Sequence, residues 1–203
     1  MIIKNPIREK NPVRNCIKTY SNYRSYKDNL AKDFNNRCGY CDAFDGWIGG
    51  IKVYHIDHFA PKSKFPHLTH TYENLIYSCP FCNLNKGDDW PSTDENINIV
   101  NNIGYINPLL EEYVTHFYRD PYGNIICEEN KQISKYMYKR LKFYLERHRV
   151  LWNLTRLALV KKRVKDKMEN CKDDAKYKRL LSLYGELSLE FDEFLYYIVG
   201  DVS

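Results

Sequence analysis

Two C-x-x-C pairs constrain this chain more than any other feature: Cys38 and Cys41 in R-C-G-Y-C-D, and Cys79 and Cys82 in S-C-P-F-C-N. Each pair can clasp a metal between two thiolates. Two pairs complete the closed four-sulfur tetrahedron that Zn²⁺ prefers, so a structural zinc held by these four residues is expected. The other three of the seven cysteines, Cys16, Cys127 and Cys171, are isolated and read as small buried or half-buried thiols. Metal-binding thiols point to a reducing compartment rather than a disulfide framework. The N-terminal M-I-I-K-N-P-I-R-E-K has no apolar signal-peptide run, and no stretch approaches the length of a membrane span. A cytoplasmic protein with no membrane partner is therefore expected.

At 203 residues the chain suits one domain, or a compact core with a helical appendage. Residues 1–36 read as a basic helical segment, with Tyr23, Tyr26, Leu30 and Phe34 at helical spacing. Residues 37–90 hold the paired cysteines among short strands and turns. Residues 91–133 form a connecting segment, and Pro121-Tyr122-Gly123-Asn124 within it, flanked by T-H-F-Y and N-I-I-C, predicts a β-hairpin. From 134 to 203 the period turns helical. One stripe carries Leu141, Leu145, His148, Trp152, Thr155 and Leu159, and a second carries Leu180, Tyr184, Leu187, Phe191, Phe194 and Ile198. These predict an antiparallel helical pair split near residues 170–174.

Between the cysteine pairs lies Y-H-I-D-H-F-A-P-K-S, and then Y-E-N-L-I-Y runs into S-C-P-F-C-N-L-N-K-G. C-x-x-C, D-H-F-x-P, N-L and C-x-x-C-N-x-x-K follow one another in the order of the HNH, or ββα-metal, endonuclease superfamily, and residues 37–88 resemble its zinc-bearing branch. The resemblance implies an α+β fold: a ββα-metal core on a four-cysteine zinc knuckle, flanked by an N-terminal helix and a C-terminal helical pair. It implies that His58 is the first H, Asn74 the N that braces the loop bearing His58, and that Asn83 takes the last position. It further implies hydrolysis of DNA, and a likeness to small stand-alone bacterial nucleases of anti-phage systems that work beside an ATPase partner.

The residue types suit that chemistry. Phosphodiester hydrolysis needs a base for water and a Lewis acid for phosphate. A neutral imidazole at His58 can take the proton. Asp57 and Asn83 offer hard oxygen to a catalytic Mg²⁺ or Mn²⁺. His55, two residues before Asp57, either assists that metal or packs. Lys62 and Lys86 are candidates for phosphate contact. From Lys131 to Leu180 there are 17 Lys and Arg against 5 Asp and Glu, so Lys161, Lys162 and Arg163 are expected to attract a nucleic-acid backbone. Two readings compete with a DNA nuclease: a zinc-stapled nucleic-acid-binding module without catalysis, and an RNase.

Overall fold

A computed structural model describes residues 4–200, with its strands and helices in chain order as follows. They are β1 (Asn5–Pro6), α1 (Lys27–Asp33), β2 (His55–His58), β3 (Leu75–Ser78), α2 (Pro80–Lys86), β4 (Ile99–Val100) and β5 (Ile103–Gly104). After them come β6 (Phe117–Arg119), β7 (Ile125–Cys127), α3 (Gln132–Arg140), α4 (Glu146–Glu169) and α5 (Asp174–Val199). Helices and small antiparallel sheets are mixed, as an α+β chain requires.

The centre is β2 paired antiparallel with β3, in the register His55↔Ser78, Asp57↔Ile76, His58↔Leu75. All four residues of β3 are buried, which is why Leu-Ile-Tyr-Ser shows no polar alternation. The chain leaves β3 directly into α2. Cys79 caps that helix, its sulfur accepting from the Cys82 amide, and Pro80 takes the first helical position, where no amide partner is lost. Gly87, at φ +57°, ends it. Two strands and this short helix form the ββα core.

The helix expected from the spacing of Tyr23, Tyr26, Leu30 and Phe34 is shorter than that periodicity suggests. Asn22 caps a tight turn at Tyr23–Tyr26, and α1 follows only from Lys27. Asn35 and Asn36, both at positive φ, then reverse the chain into the first cysteine pair. The hairpin expected around residues 121–124 is β6–β7, with β1 added on the far side of β6.

Segments outside the core reach into it. Three consecutive carbonyls of the first knuckle, those of Gly39, Tyr40 and Cys41, accept from Arg8 (2.7 Å), the Tyr113 hydroxyl (2.7 Å) and Arg119 (2.8 Å). Arg119 also donates to the carbonyls of Gly123 and His148 and is almost wholly enclosed. Burial pulls its pKa down to about 10.

By its internal contacts the chain divides into two units, Met1–His148 and Arg149–Ser203. α3, grouped by sequence with the C-terminal helices, packs in the first unit against β5 and β7. The continuous helix suggested by Leu141, Leu145 and His148 is broken after α3, where Lys142 adopts φ +52°. In α4 the buried positions include Leu154, Leu157 and Val164, whereas Leu159, expected on that stripe, is 53% exposed. Asp173 caps α5 through the Lys176 amide. Within the second unit Arg149 lies over Phe194, and Lys161 over Tyr184 and Phe191, so the pair is antiparallel as expected. No helix among the described residues is long and apolar enough to cross a membrane.

Candidate metal knuckle and adjoining cleft

The four sulfurs of Cys38, Cys41, Cys79 and Cys82 lie within 4.8 Å of one another, and all four residues are buried. The Cys41 and Cys79 sulfurs are 3.8 Å apart. A tetrahedron with zinc–sulfur bonds of about 2.3 Å has edges of about 3.8 Å, so the donor set fits Zn²⁺ in both chemistry and size. Burial, and then hydrogen bonding with its neighbours, pushes the Cys82 thiol well above its ordinary range. Four thiolates this close need a cation to ionise together. Gly39 lets the turn approach β3: a Cβ there would lie 2.7 Å from a Phe34 ring carbon and 2.8 Å from an Ile76 methyl.

Beside the knuckle is an open cleft of 680 Å³. Its floor is β2, its near wall is α2 with Asn83 and Leu84, and its far wall is the turn carrying Tyr23 and Arg24 with Lys27 at the start of α1. His55 and Asp57 share one strand face, which α2 covers. Asn83 Nδ2 lies 2.9 Å from His55 Nδ1, and three residues on Lys86 meets Asp57. The Asp57 carboxylate is 5% exposed and is engaged by the Tyr40 hydroxyl at 2.5 Å and by the Lys86 ammonium at 3.4 Å. Burial raises its pKa against the opposing pull of Lys86 and Tyr40. Lys86, a phosphate contact by expectation, is instead completely enclosed, and it also donates to the His58 carbonyl at 2.9 Å. It serves as an internal counter-ion, out of reach of a strand in the cleft.

His58 lines the same cleft just before the chain bends at Phe59 and Ala60. Its Nε2 lies 3.0 Å from the Thr69 carbonyl oxygen, and its ring meets Tyr23 edge-on at 4.8 Å. A carbonyl only accepts, so Nε2 carries the proton and Nδ1 keeps its lone pair. Burial lowers the His58 pKa, with Lys62, Lys86 and His70 adding to the effect and the Thr69 contact opposing it, which favours the neutral ring.

Asn74 grips the bend. Its Oδ1 accepts from the Ala60 amide at 2.8 Å, its Nδ2 donates to the Ala60 carbonyl at 2.9 Å, and its own carbonyl accepts from Phe59. Lys62 stands exposed at the cleft edge and donates to the Tyr23 hydroxyl at 3.1 Å. Lys161, Lys162 and Arg163 lie on α4, in the other unit, where Lys162 and Arg163 are exposed and Lys161 covers aromatic rings of α5.

The structure brings Asp57, His58, Asn83 and Lys62, singled out from the sequence, to one cleft, and sets Asn74 on the bend behind it. Tyr23, Arg24, Lys27 and Tyr40 join them from the structure, and His55, left between metal and packing, lines the cleft. His55 had a signal, its place two residues before Asp57 on one strand. The others had none, because they approach through tertiary packing.

A metal-ready knuckle against a ββα cleft with a histidine and an amide at its mouth defines a class. Residues 38–89 match the family model described as HNH endonuclease, which identifies that segment as an HNH domain. Septu protein PtuB of Bacillus thuringiensis is 39% identical over 53 residues, 26% of this chain and 20% of that protein. The match therefore spans about a fifth of that relative's length. No solved structure matches the chain.

Proposed function

We propose that the chain is a metal-dependent DNA endonuclease in which His58 is the general base. The observation that carries this reading is the anchored, neutral His58 ring, whose Nδ1 is a proton acceptor in a cleft walled by Arg24, Lys27 and Lys62. Nδ1 removes a proton from water, the water oxygen bonds to phosphorus, and the bond to the 3′ oxygen breaks; that oxygen takes a proton from solvent, giving 5′-phosphate and 3′-hydroxyl ends. The cationic wall receives the phosphate, and Asn74 holds the bend that fixes the ring. Asp57 and Asn83, with the His55 imidazole against Asn83, form a donor set suited to Mg²⁺ or Mn²⁺. When bound, that ion supplies Lewis-acid stabilisation of the phosphate and leaving oxygen. The zinc of the four cysteines is structural, and Lys161, Lys162 and Arg163 add long-range attraction for the backbone.

The likeness to Septu protein PtuB over 53 residues supports an anti-phage role, and in this reading the protein acts in the cytoplasm beside an ATPase partner. The test incubates purified protein with plasmid DNA and with RNA, with and without Mg²⁺ or Mn²⁺. We expect metal-dependent DNA cutting, stopped by brief EDTA treatment that leaves about one zinc bound, and lost by roughly a hundredfold in His58→Ala. Cleavage of RNA alone makes the protein an RNase. Binding without cleavage makes it a zinc-stapled binding module.

A further inference from the structure

The cleft does not stop at α2. Leu84, 72% exposed, forms part of its wall and also part of a second groove, of 480 Å³, on the other side of the helix. Asn85, Tyr136, Lys139, Arg140 and Lys142 complete that groove, so its lining holds three cations and no acid. Arg140 is set in place: its Nε lies 3.2 Å from Asp89 and its Nη2 reaches the Lys86 carbonyl at 3.5 Å. The residue that counters Asp57 on the cleft side is thus tied by its backbone to the groove side.

Lys142 is the second independent observation. Six non-glycine residues among those described have positive φ, and five are Asn or Asp, the residue types that tolerate it. The sixth is Lys142, at +52°. A lysine costs stability there relative to Asn or Gly, and it stands exposed at the groove.

We propose that this groove is a second nucleic-acid subsite, in which Lys139, Arg140 and Lys142 bind the phosphodiester backbone of the strand whose scissile phosphate lies in the cleft. The strand crosses α2 over the apolar crest of Leu84. The subsite rests on the nuclease reading for its strand, and its test keeps the two apart.

Binding of fluorescent duplex DNA is followed by anisotropy across a range of NaCl, in a His58→Ala background so that nothing is cut. Lys139→Gln with Lys142→Asn removes two phosphate contacts. The slope of log K against log salt should flatten by about 1.8, and affinity near 0.1 M salt should fall roughly 60-fold. Lys142→Asn alone should weaken binding while the thermal midpoint holds or rises, a pair of signs that a merely structural lysine would not give. An unchanged slope in the double variant overturns the subsite. So does a loss seen only in a Lys161, Lys162 and Arg163 to Gln variant, which assigns the backbone to α4. Wild-type protein that binds with the groove-dependent slope but cuts nothing overturns the nuclease and leaves the subsite. Protein that cuts DNA with equal slopes in both forms does the reverse.

Discussion

Asn74 shows how one side chain can hold the bend of a chain, here the one that follows His58. Its amide is matched to both backbone groups of Ala60, and each contact is buried. Removing it leaves two buried polar groups unpaired, at a cost of about 1–3 kcal/mol each. Asn74→Ala should therefore lower the urea midpoint and cut kcat while KM for DNA stays near wild type. Asn74→Asp, which keeps the acceptor and loses the donor, should fall between. A variant with normal kcat would remove the bend from the mechanism. Asn74 was legible because its motif neighbours are close in sequence. Arg24 and Lys27 were not, since nothing local distinguishes a cleft lysine from a solvated one. Lys86 was misread for the same reason: lysines are rarely buried, so phosphate contact was the natural expectation.

At the scale of elements, α2 does most of the assembly. Its cap, Cys79, and its first turn, through Cys82, supply two knuckle sulfurs, its middle presents Asn83, and its last turn sends Lys86 back beneath Asp57. This seven-residue helix is too short to stand alone, and its sequence carries that dependence in Cys79 and Pro80. Lys86→Met keeps the volume and removes the charge, leaving the Asp57 carboxylate buried without its counter-ion. Breaking such a pair costs about 3–5 kcal/mol, which chemical denaturation with zinc present will read. Stability equal to wild type would show that the ammonium is not needed there. The C-terminal helices were legible in period but not in continuity. The break at residues 141–145 has no Gly or Pro to announce it, and Lys142 adopts a conformation that propensity assigns to other residue types.

At the scale of the whole molecule, stability should depend on acidity through His116, which lies far from the four knuckle cysteines in sequence. It is buried, its Nδ1 lies 2.8 Å from the Ser134 hydroxyl, and burial chiefly holds its pKa below the ordinary value. The unfolded chain therefore takes the proton first. The contribution of His116 is fully present above its unfolded pKa of about 6.5, and it is lost as pH falls through the lower folded value. The thermal midpoint should drop from pH 7 towards pH 5. His116→Gln, which cannot titrate, should show a shallower drop; parallel curves would exclude His116 as a source.

The three donors that reach the Gly39, Tyr40 and Cys41 carbonyls decide how portable the HNH segment is. A family match confined to residues 38–89 reads as a cassette that could be cut out and grafted elsewhere. Yet Arg8, Tyr113 and Arg119 all lie outside it. A four-thiolate zinc carries a net charge of about −2, and the two arginines bring compensating positive charge to its backbone. The cassette's borders in sequence are therefore not its borders in electrostatics. A synthetic peptide of residues 38–89 should release zinc to a chelator well before the full chain does, and should lack the full chain's cooperative melting. Equal zinc retention would mean that the knuckle carries its own charge balance, and that the rest of the chain only covers it.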